Sequence, residues 1–351
     1  MKVAPVFGAL GERNCRQTLV HTGQHYDPNM SEVFFRQLHI PEPDVNLGVG
    51  SGSHAQQTAQ IMTAMEKVLL ACRPDLVLVY GDVNSTVAAT LVCAKLQIPV
   101  AHVEAGLRSF DRSMPEEINR IVTDQLSDIL FTPSEDGNAN LLREGITAEK
   151  IHLVGNVMID SLMKLLPQAM DLPRNGFPSS YALVTLHRPS NVDEPQTLRQ
   201  IFGSLLTVSE KIPVVFPVHP RTRQRISDCA IDAGGLHLCD PLSYLEFLAL
   251  QARATVVLTD SGGIQEETTY LGVPCLTMRE NTERPVTVEV GTNVLIGNDA
   301  NKLNEELGKI LSGTAKAGAI PPLWDGTAGE RIAQLICGEA VTIAPGLPRA
   351  S

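Results

Sequence analysis

An apolar run, Val256-Val257-Leu258, breaks into Asp260-Ser261-Gly262-Gly263-Ile264 and continues as Gln265-Glu266-Glu267 in a helical pattern. That is how a strand turning into a helix N-terminus reads, and such a corner binds anions. Unpaired N–H groups and the positive end of the helix dipole attract a phosphate, and glycines let it approach the backbone. The Ser261 hydroxyl either caps the helix or binds a phosphate oxygen. Two glycines alone fit an ordinary strand-to-helix turn equally well. The carboxylates tip the reading, because Glu266 and Glu267 fall one turn beyond the phosphate, where a ribose would sit. Phosphate followed by sugar points to a nucleotide.

Four other polar corners follow apolar runs: Tyr80-Gly81-Asp82, His102-Val103-Glu104 leading to Arg108, Leu186-His187-Arg188, and Val218-His219-Pro220-Arg221. Asp82 would serve equally as a helix cap. Glu104 ends the run from Ile98 to Val103 and would be desolvated without a partner, for which Arg108 is the nearest candidate. His187 and His219 each have an arginine nearby, which favours phosphate contact over a core role. The segment Met114 to Arg120 opens a helix, with Pro115 in its first turn and Ile118, Ile121, Val122 and Leu126 at helical spacing. Glu116 and Arg120 are then i,i+4 neighbours, ordinarily a solvated pair. In the company of Asp82 and Glu104, Glu116 becomes the third carboxylate of a group suited to moving a proton at carbon beside a nucleotide leaving group.

These corners need strands to place them. Short β-rich runs alternate with helical patterns, the mark of parallel α/β sheets. Strands are expected at Thr18 to His21, Asp75 to Tyr80, Val100 to Val103, Ile129 to Thr132 and Ile151 to Val154. Others are expected at Tyr181 to Thr185, Val214 to Val218, Leu236 to Leu238, Thr255 to Leu258, Pro274 to Met278 and Asn293 to Ile296. They divide into two Rossmann-like, doubly wound domains, 1–167 and 181–327, joined by a polar linker at 168–180. A closing helix and tail, 328–351, is expected to return to the first domain. Ligands of such sheets lie beyond the carboxyl ends of the strands, and with two domains the expected place is the cleft between them.

The 351 residues exceed what one core usually supports. With 28 Lys and Arg against 39 Asp and Glu, the net charge of −11 argues against a nucleic-acid or anionic-membrane partner. An anionic ligand must be held by a few local donors. Seven scattered cysteines without a C-x-x-C read as buried free thiols in a reducing compartment. No apolar run approaches the roughly 18 residues of a spanning helix, and the expected location is the cytoplasm.

The stretches His21-Thr-Gly-Gln-His25, Gly81-Asp82, His102-Val-Glu-Ala-Gly-Leu-Arg108, Pro115-Glu-Glu-Ile-Asn-Arg120, His187-Arg188, Pro217-Val-His219, Asp260 to Glu267 and Thr282-Glu-Arg-Pro285 run along nearly the whole chain. Together they resemble the non-hydrolysing UDP-N-acetylglucosamine 2-epimerases, which share the GT-B fold. The resemblance implies reversible inversion at C2 of a UDP-sugar without added cofactor or metal, through loss of UDP, a bound 2-acetamidoglucal and re-addition of UDP. It implies Asp82, Glu104 and Glu116 as acid/base groups and His187 as an aid to the departing UDP. Lys2, Arg108, His219, Arg284, Ser261, Gly262 and Gly263 would contact the UDP-sugar, with Glu267 at the ribose and Phe247 beside the uracil. Gln24, His25 and Gln57 correspond to an allosteric substrate site, and a homodimer is the family habit. Two departures stand out: Met1-Lys2-Val3-Ala4-Pro5 already matches the family's first helix, so the first strand of the N-terminal domain is expected to be missing, and Pro189 replaces a second arginine after Arg188. A hydrolysing epimerase, an epimerase of a modified UDP-sugar and an inactive, truncated UDP-sugar binder are the alternatives.

Overall fold

A computed structural model describes residues 1–23, 37–38, 40–174 and 176–338. Two compact units emerge, Met1–Ser161 with Pro322–Ser351, and Leu162–Pro321. The sequence reading put the crossing at 168–180. In the structure the chain passes from one unit to the other within a single helix, Val157–Met170.

The first unit carries β1 (Val20–His21), β2 (Val45–Asn46), β3 (Val77–Tyr80), β4 (Val100–Val103), β5 (Ile129–Thr132) and β6 (Ile151–Leu153). All pairings are parallel, β1 with β2 in one sheet and β3-β4-β5-β6 in another. The expected single sheet is therefore in two pieces, and β2 was not foreseen: two residues with one polar side chain leave no periodic signal. Helix α1 (Val3–Glu12) lies on one face of the larger sheet, while α2 (His54–Cys72) and α3 (Asn84–Leu96) pack on the other. The pleat explains the division: Leu78 and Tyr80 join the α1 side, Val77 and Val79 the α2–α3 side. A late helix, α4 (Ala328–Cys337), sets Ile332 and Ala333 against Val6, Ala9 and Leu10 of α1. Gly329 allows the approach, since a Cβ there would lie 2.8 Å from the Pro5 backbone.

The second unit is one six-stranded parallel sheet, order β12-β11-β10-β7-β8-β9. Its strands are β7 (Ala182–Thr185), β8 (Val214–Pro217), β9 (Leu236–Cys239), β10 (Val256–Thr259), β11 (Cys275–Thr277) and β12 (Asn293–Leu295). Both faces are covered, which is why the strands read as continuous apolar runs. Val184, Phe216, Val256 and Leu258 face one core and Leu183, Val215 and Val257 the other. Strand order reverses between β7 and β10, the position where doubly wound sheets bind ligands.

The cysteines depart from expectation: Cys93 and Cys275 are buried, whereas Cys337 is exposed and the others are half-buried. Cys15 and Cys337 lie with their Sγ atoms 2.7 Å apart beside the α1–α4 seam. Among the described residues no helix is long and apolar enough to cross a membrane.

Candidate functional site

In the first unit, the ends of β3 and β4 bring Asp82 and Glu104 together with two cations. Gly81 turns the chain after β3 in the left-handed region, φ 66°, and lacks a side chain where one would strike Lys2, 2.7 Å from Nζ. Lys2 fills that space and pairs with Oε2 of Glu104, an almost wholly buried carboxylate. Glu104 itself has φ 75°, a costly conformation for a residue with a Cβ that persists only where surroundings enforce it. Asp82 does not cap the following helix, whose N-cap is Val83; its Oδ2 lies 2.5 Å from Nη1 of Arg120.

Arg120 stands on a helix, α5 (Pro115–Leu126), and its partner there is not the Glu116 of the i,i+4 reading. Arg120 pairs with Glu117, three residues earlier, at 2.6 Å, and Glu116 is exposed. Adjacent helical residues point about 100° apart, so only one of the two can face inward. Glu117 takes that place and accepts from the backbone N–H groups of Ser109 and Phe110. Burial works to raise its carboxyl, but those donors and Arg120 outweigh it and hold the value below the ordinary one.

Arg108 is likewise not the partner of Glu104. It is 2% exposed, with Nη1 2.7 Å from Asp124 and a two-pronged contact to Glu144 at 2.8 and 2.6 Å. Its guanidinium is thereby held inside the fold. Gln57 is also occupied, donating to the Gly50 carbonyl and accepting from Asn84. Gln24 and His25 lie outside the described residues.

The second unit gathers the other half of the expected site at the switch between β7 and β10. Asp260 is fully buried and accepts from the backbone N–H groups of His187 and Arg188, from the Asn191 amide at 3.0 Å, and from Nδ1 of His187 at 2.8 Å. Burial pushes its carboxyl up, yet His187 and these donors bring it below the usual range. The bond fixes Nδ1 as the donor and leaves Nε2 of the exposed ring for a ligand.

Ser261 is the N-cap of a helix, α6 (Gly262–Leu271), but its hydroxyl makes no capping bond. Beneath the glycines runs a buried chain of charges. Arg284 lies 2.9 Å from Glu266 and 2.5 Å from Glu283, and Glu283 is 2.6 Å from Arg279. A Cβ on Gly262 would fall 2.3 Å from Nη1 of Arg284, so the absence of a side chain brings the cation directly under the corner. Further along, Glu267 accepts from the Tyr244 hydroxyl at 2.9 Å, with the Gln251 side chain also beside its buried carboxylate. Burial raises this carboxyl to about 7.

Phe247 is half-buried and packs against the core of Leu183, Val215 and Val257. His219 is exposed at the end of β8, and its Nδ1 accepts from the Arg221 N–H as the cap of the next helix. Tyr244 and Arg120 were not singled out as site residues. The capping box of Ser243 and Glu246, which puts Tyr244 at the first position of its helix, was the available signal for Tyr244.

Comparison with known proteins identifies the chain's relatives. The sequence model of the UDP-N-acetylglucosamine 2-epimerase family matches residues 9–337. A protein of Methanocaldococcus jannaschii named UDP-N-acetylglucosamine 2-epimerase is 43% identical over 350 residues, 96% of this chain and 95% of its own. A Pseudomonas aeruginosa protein named UDP-2,3-diacetamido-2,3-dideoxy-D-glucuronate 2-epimerase is 46% identical over 289 residues, 82% of this chain and 81% of its own. Among solved structures, that of the M. jannaschii UDP-GlcNAc 2-epimerase with UDP-GlcNAc and UDP superposes with a TM-score of 0.89 over 95% of both chains.

Proposed function

The chain belongs to the UDP-N-acetylglucosamine 2-epimerase family, and from that premise we propose that it inverts C2 of UDP-N-acetylglucosamine reversibly, giving UDP-N-acetylmannosamine. The fold is the GT-B-like α/β fold of its relatives, and the protein is a carbohydrate epimerase. The finer assignment rests on one observation: Asp82 and Glu104 stand at the ends of adjacent parallel strands, each against its own cation, Arg120 and Lys2.

In this reading a carboxylate removes the C2 proton as the C1–O bond to UDP breaks, leaving a C1–C2 double bond in 2-acetamidoglucal. UDP then re-adds at C1 while C2 receives a proton on its other face. The Lys2–Glu104 and Arg120–Asp82 pairs place an acid/base group beside a cation that can follow its change of charge. Glu116, on the exposed side of α5, is the weakest of the three proposed groups. The Gly262-Gly263 corner, with Arg284 under it and His187 beside it, would hold the diphosphate as charge develops. The carboxylate of Glu267 would accept from the ribose, and Phe247 would stand near the base. A homodimer and the cytoplasm remain part of the proposal.

The P. aeruginosa relative favours a second reading, in which the sugar is a 2,3-diacetamido-glucuronate. One experiment addresses both. Each UDP-sugar is incubated with the protein in deuterated water and followed by proton NMR. The proposal expects deuterium at C2 and UDP-N-acetylmannosamine from UDP-N-acetylglucosamine. Exchange only with the modified sugar supports the second reading, free N-acetylmannosamine indicates a hydrolysing enzyme, and binding without exchange leaves a UDP-sugar binder.

A further inference from the structure

Behind the two carboxylates of the first unit lies a buried polar cluster that no step of the proposed reaction uses. His102, in the middle of β4, is 0% exposed. Its Nδ1 lies 2.6 Å from Oδ1 of Asp124 and its Nε2 lies 2.9 Å from the carbonyl oxygen of Gly81. A carbonyl only accepts, so Nε2 donates. The other oxygen of Asp124 accepts from the Gly106 N–H at 3.1 Å and sits 2.7 Å from Nη1 of Arg108. Oδ2 of Asp124 is therefore an acceptor. Burial works to raise its carboxyl, but His102 and Arg108 outweigh burial and hold it low. The His102 ring thereby bridges the Gly81 carbonyl and the Asp124 carboxyl group.

What the ring and its carboxylate grip are the two turns that carry the acid/base groups. Gly81, φ 66°, immediately precedes Asp82, and Gly106, φ 81°, follows Glu104 by two residues. A Cβ on Gly106 would fall 2.5 Å from the Gly137 carbonyl, so that turn has no room to drift. Three residues in the left-handed region, Gly81, Glu104 and Gly106, are thus tied through one histidine–aspartate pair, and conformations of this kind hold only where several contacts agree. Arg108 completes the cluster, since its bidentate hold on Glu144 keeps it over Asp124.

We infer that His102 is a positioning residue: by donating to the Gly81 carbonyl with one nitrogen and to Asp124 with the other, it sets the spacing of Asp82 and Glu104 for proton transfer at the sugar. The inference deepens the proposed epimerisation and rests on it.

Two substitutions separate the two bonds. In His102→Asn the amide nitrogen takes the place of Nδ1, keeping Asp124 and losing Gly81. In His102→Gln it takes the place of Nε2, keeping Gly81. Because misplacement of about 1 Å costs up to about a hundredfold, His102→Asn should lower kcat and the rate of C2 deuterium exchange by about 10- to 100-fold. His102→Gln should retain more of both. KM and UDP affinity should stay near wild type in each, since the ring bonds to Gly81 and Asp124 and to none of the expected UDP-sugar contacts. Equal losses in the two variants, an unchanged kcat, or a loss confined to UDP binding would overturn the inference. Histidine-selective 15N NMR of the unsubstituted protein supplies a readout that needs neither variant folding nor activity. One of the nine histidines should show protons on both ring nitrogens, each bonded to an acceptor; a buried ring with a bare nitrogen would also overturn it. Wild type without C2 exchange would sink the proposed reaction while leaving the NMR result to stand or fall by itself.

Discussion

Arg120 holds Asp82 with one arm of its guanidinium, 2.5 Å from Nη1 to Oδ2, and Glu117 with the other, at 2.6 Å. Only Asp82 of these three reaches solvent to any extent. Removing one member of a buried ion group strands the others, at a cost of about 3–5 kcal/mol. Arg120→Ala should therefore lose about that much stability, as well as activity, in denaturant titrations and turnover assays. Arg120→Lys should recover part of the stability but not the two-armed geometry. A variant as stable as wild type would show that Glu117 and Asp82 find other partners.

Glu104→Gln keeps the shape of the side chain and removes its base. Removal of a general acid or base costs about 10²- to 10⁴-fold, so C2 deuterium exchange should fall into that range while UDP still binds. Calorimetric titration with UDP, run beside the exchange assay, distinguishes lost chemistry from lost folding.

Gly262→Ala would put a Cβ 2.3 Å from Nη1 of Arg284 and 2.6 Å from Oε1 of Glu283. UDP affinity should fall at least about tenfold, or 1.4 kcal/mol, because the cation under the corner must move. Gly203→Ala is the control. It lies in the helix Pro195–Ser209 with nothing within 4 Å of its added Cβ, and it should raise stability by about 0.5–1 kcal/mol with UDP binding unchanged.

Burial places the Glu267 carboxyl at about 7 against an ordinary 4.5. The folded value is the higher one, so the associated stability is fully present below pH 4.5 and is lost as pH rises to about 7. Wild type should lose about 3 kcal/mol between about pH 4.5 and pH 8 that Glu267→Gln does not lose. Denaturation of the two proteins across that interval checks the sign and the size. A constant difference would put the carboxyl in its ordinary range.

Cys15 and Cys337, with sulfurs 2.7 Å apart, should be the pair joined when the protein is treated with a low-molecular-weight disulfide. The two thiols lose their protons and the reagent is reduced to its thiols. Peptide mapping under non-reducing conditions should recover a peptide linking positions 15 and 337, absent in Cys15→Ser. The link should raise the unfolding midpoint of the first unit, by about 2–4 kcal/mol in free energy.

The strand-to-helix corners were legible in the sequence because an apolar run that stops at a polar or glycine residue carries its own signal. Asp82, Glu104 and the Gly262 corner were found that way, and all stand where parallel strands end. Partnership was not legible. Lys2 meets Glu104 across 102 positions, and Asp124 reaches back to His102 from a helix whose pattern marks it only as polar. Glu116 and Glu117 are chemically identical neighbours, and the choice between them depends on helix phase against a sheet the sequence does not display. Arg108 was drawn to Glu104 by proximity in the chain, whereas packing gave it to Asp124 and Glu144.

The first unit is assembled from chain that is made at two different times. Residues 162–321 intervene between its main body and the helix Ala328–Cys337 that covers Val6, Ala9 and Leu10. During synthesis the apolar seam on α1 stays open until that helix has left the ribosome, by which point the entire second unit is already available to fold. Order of completion is thus written into the connectivity: the unit Leu162–Pro321 can mature first, and the unit carrying Asp82 and Glu104 is sealed last.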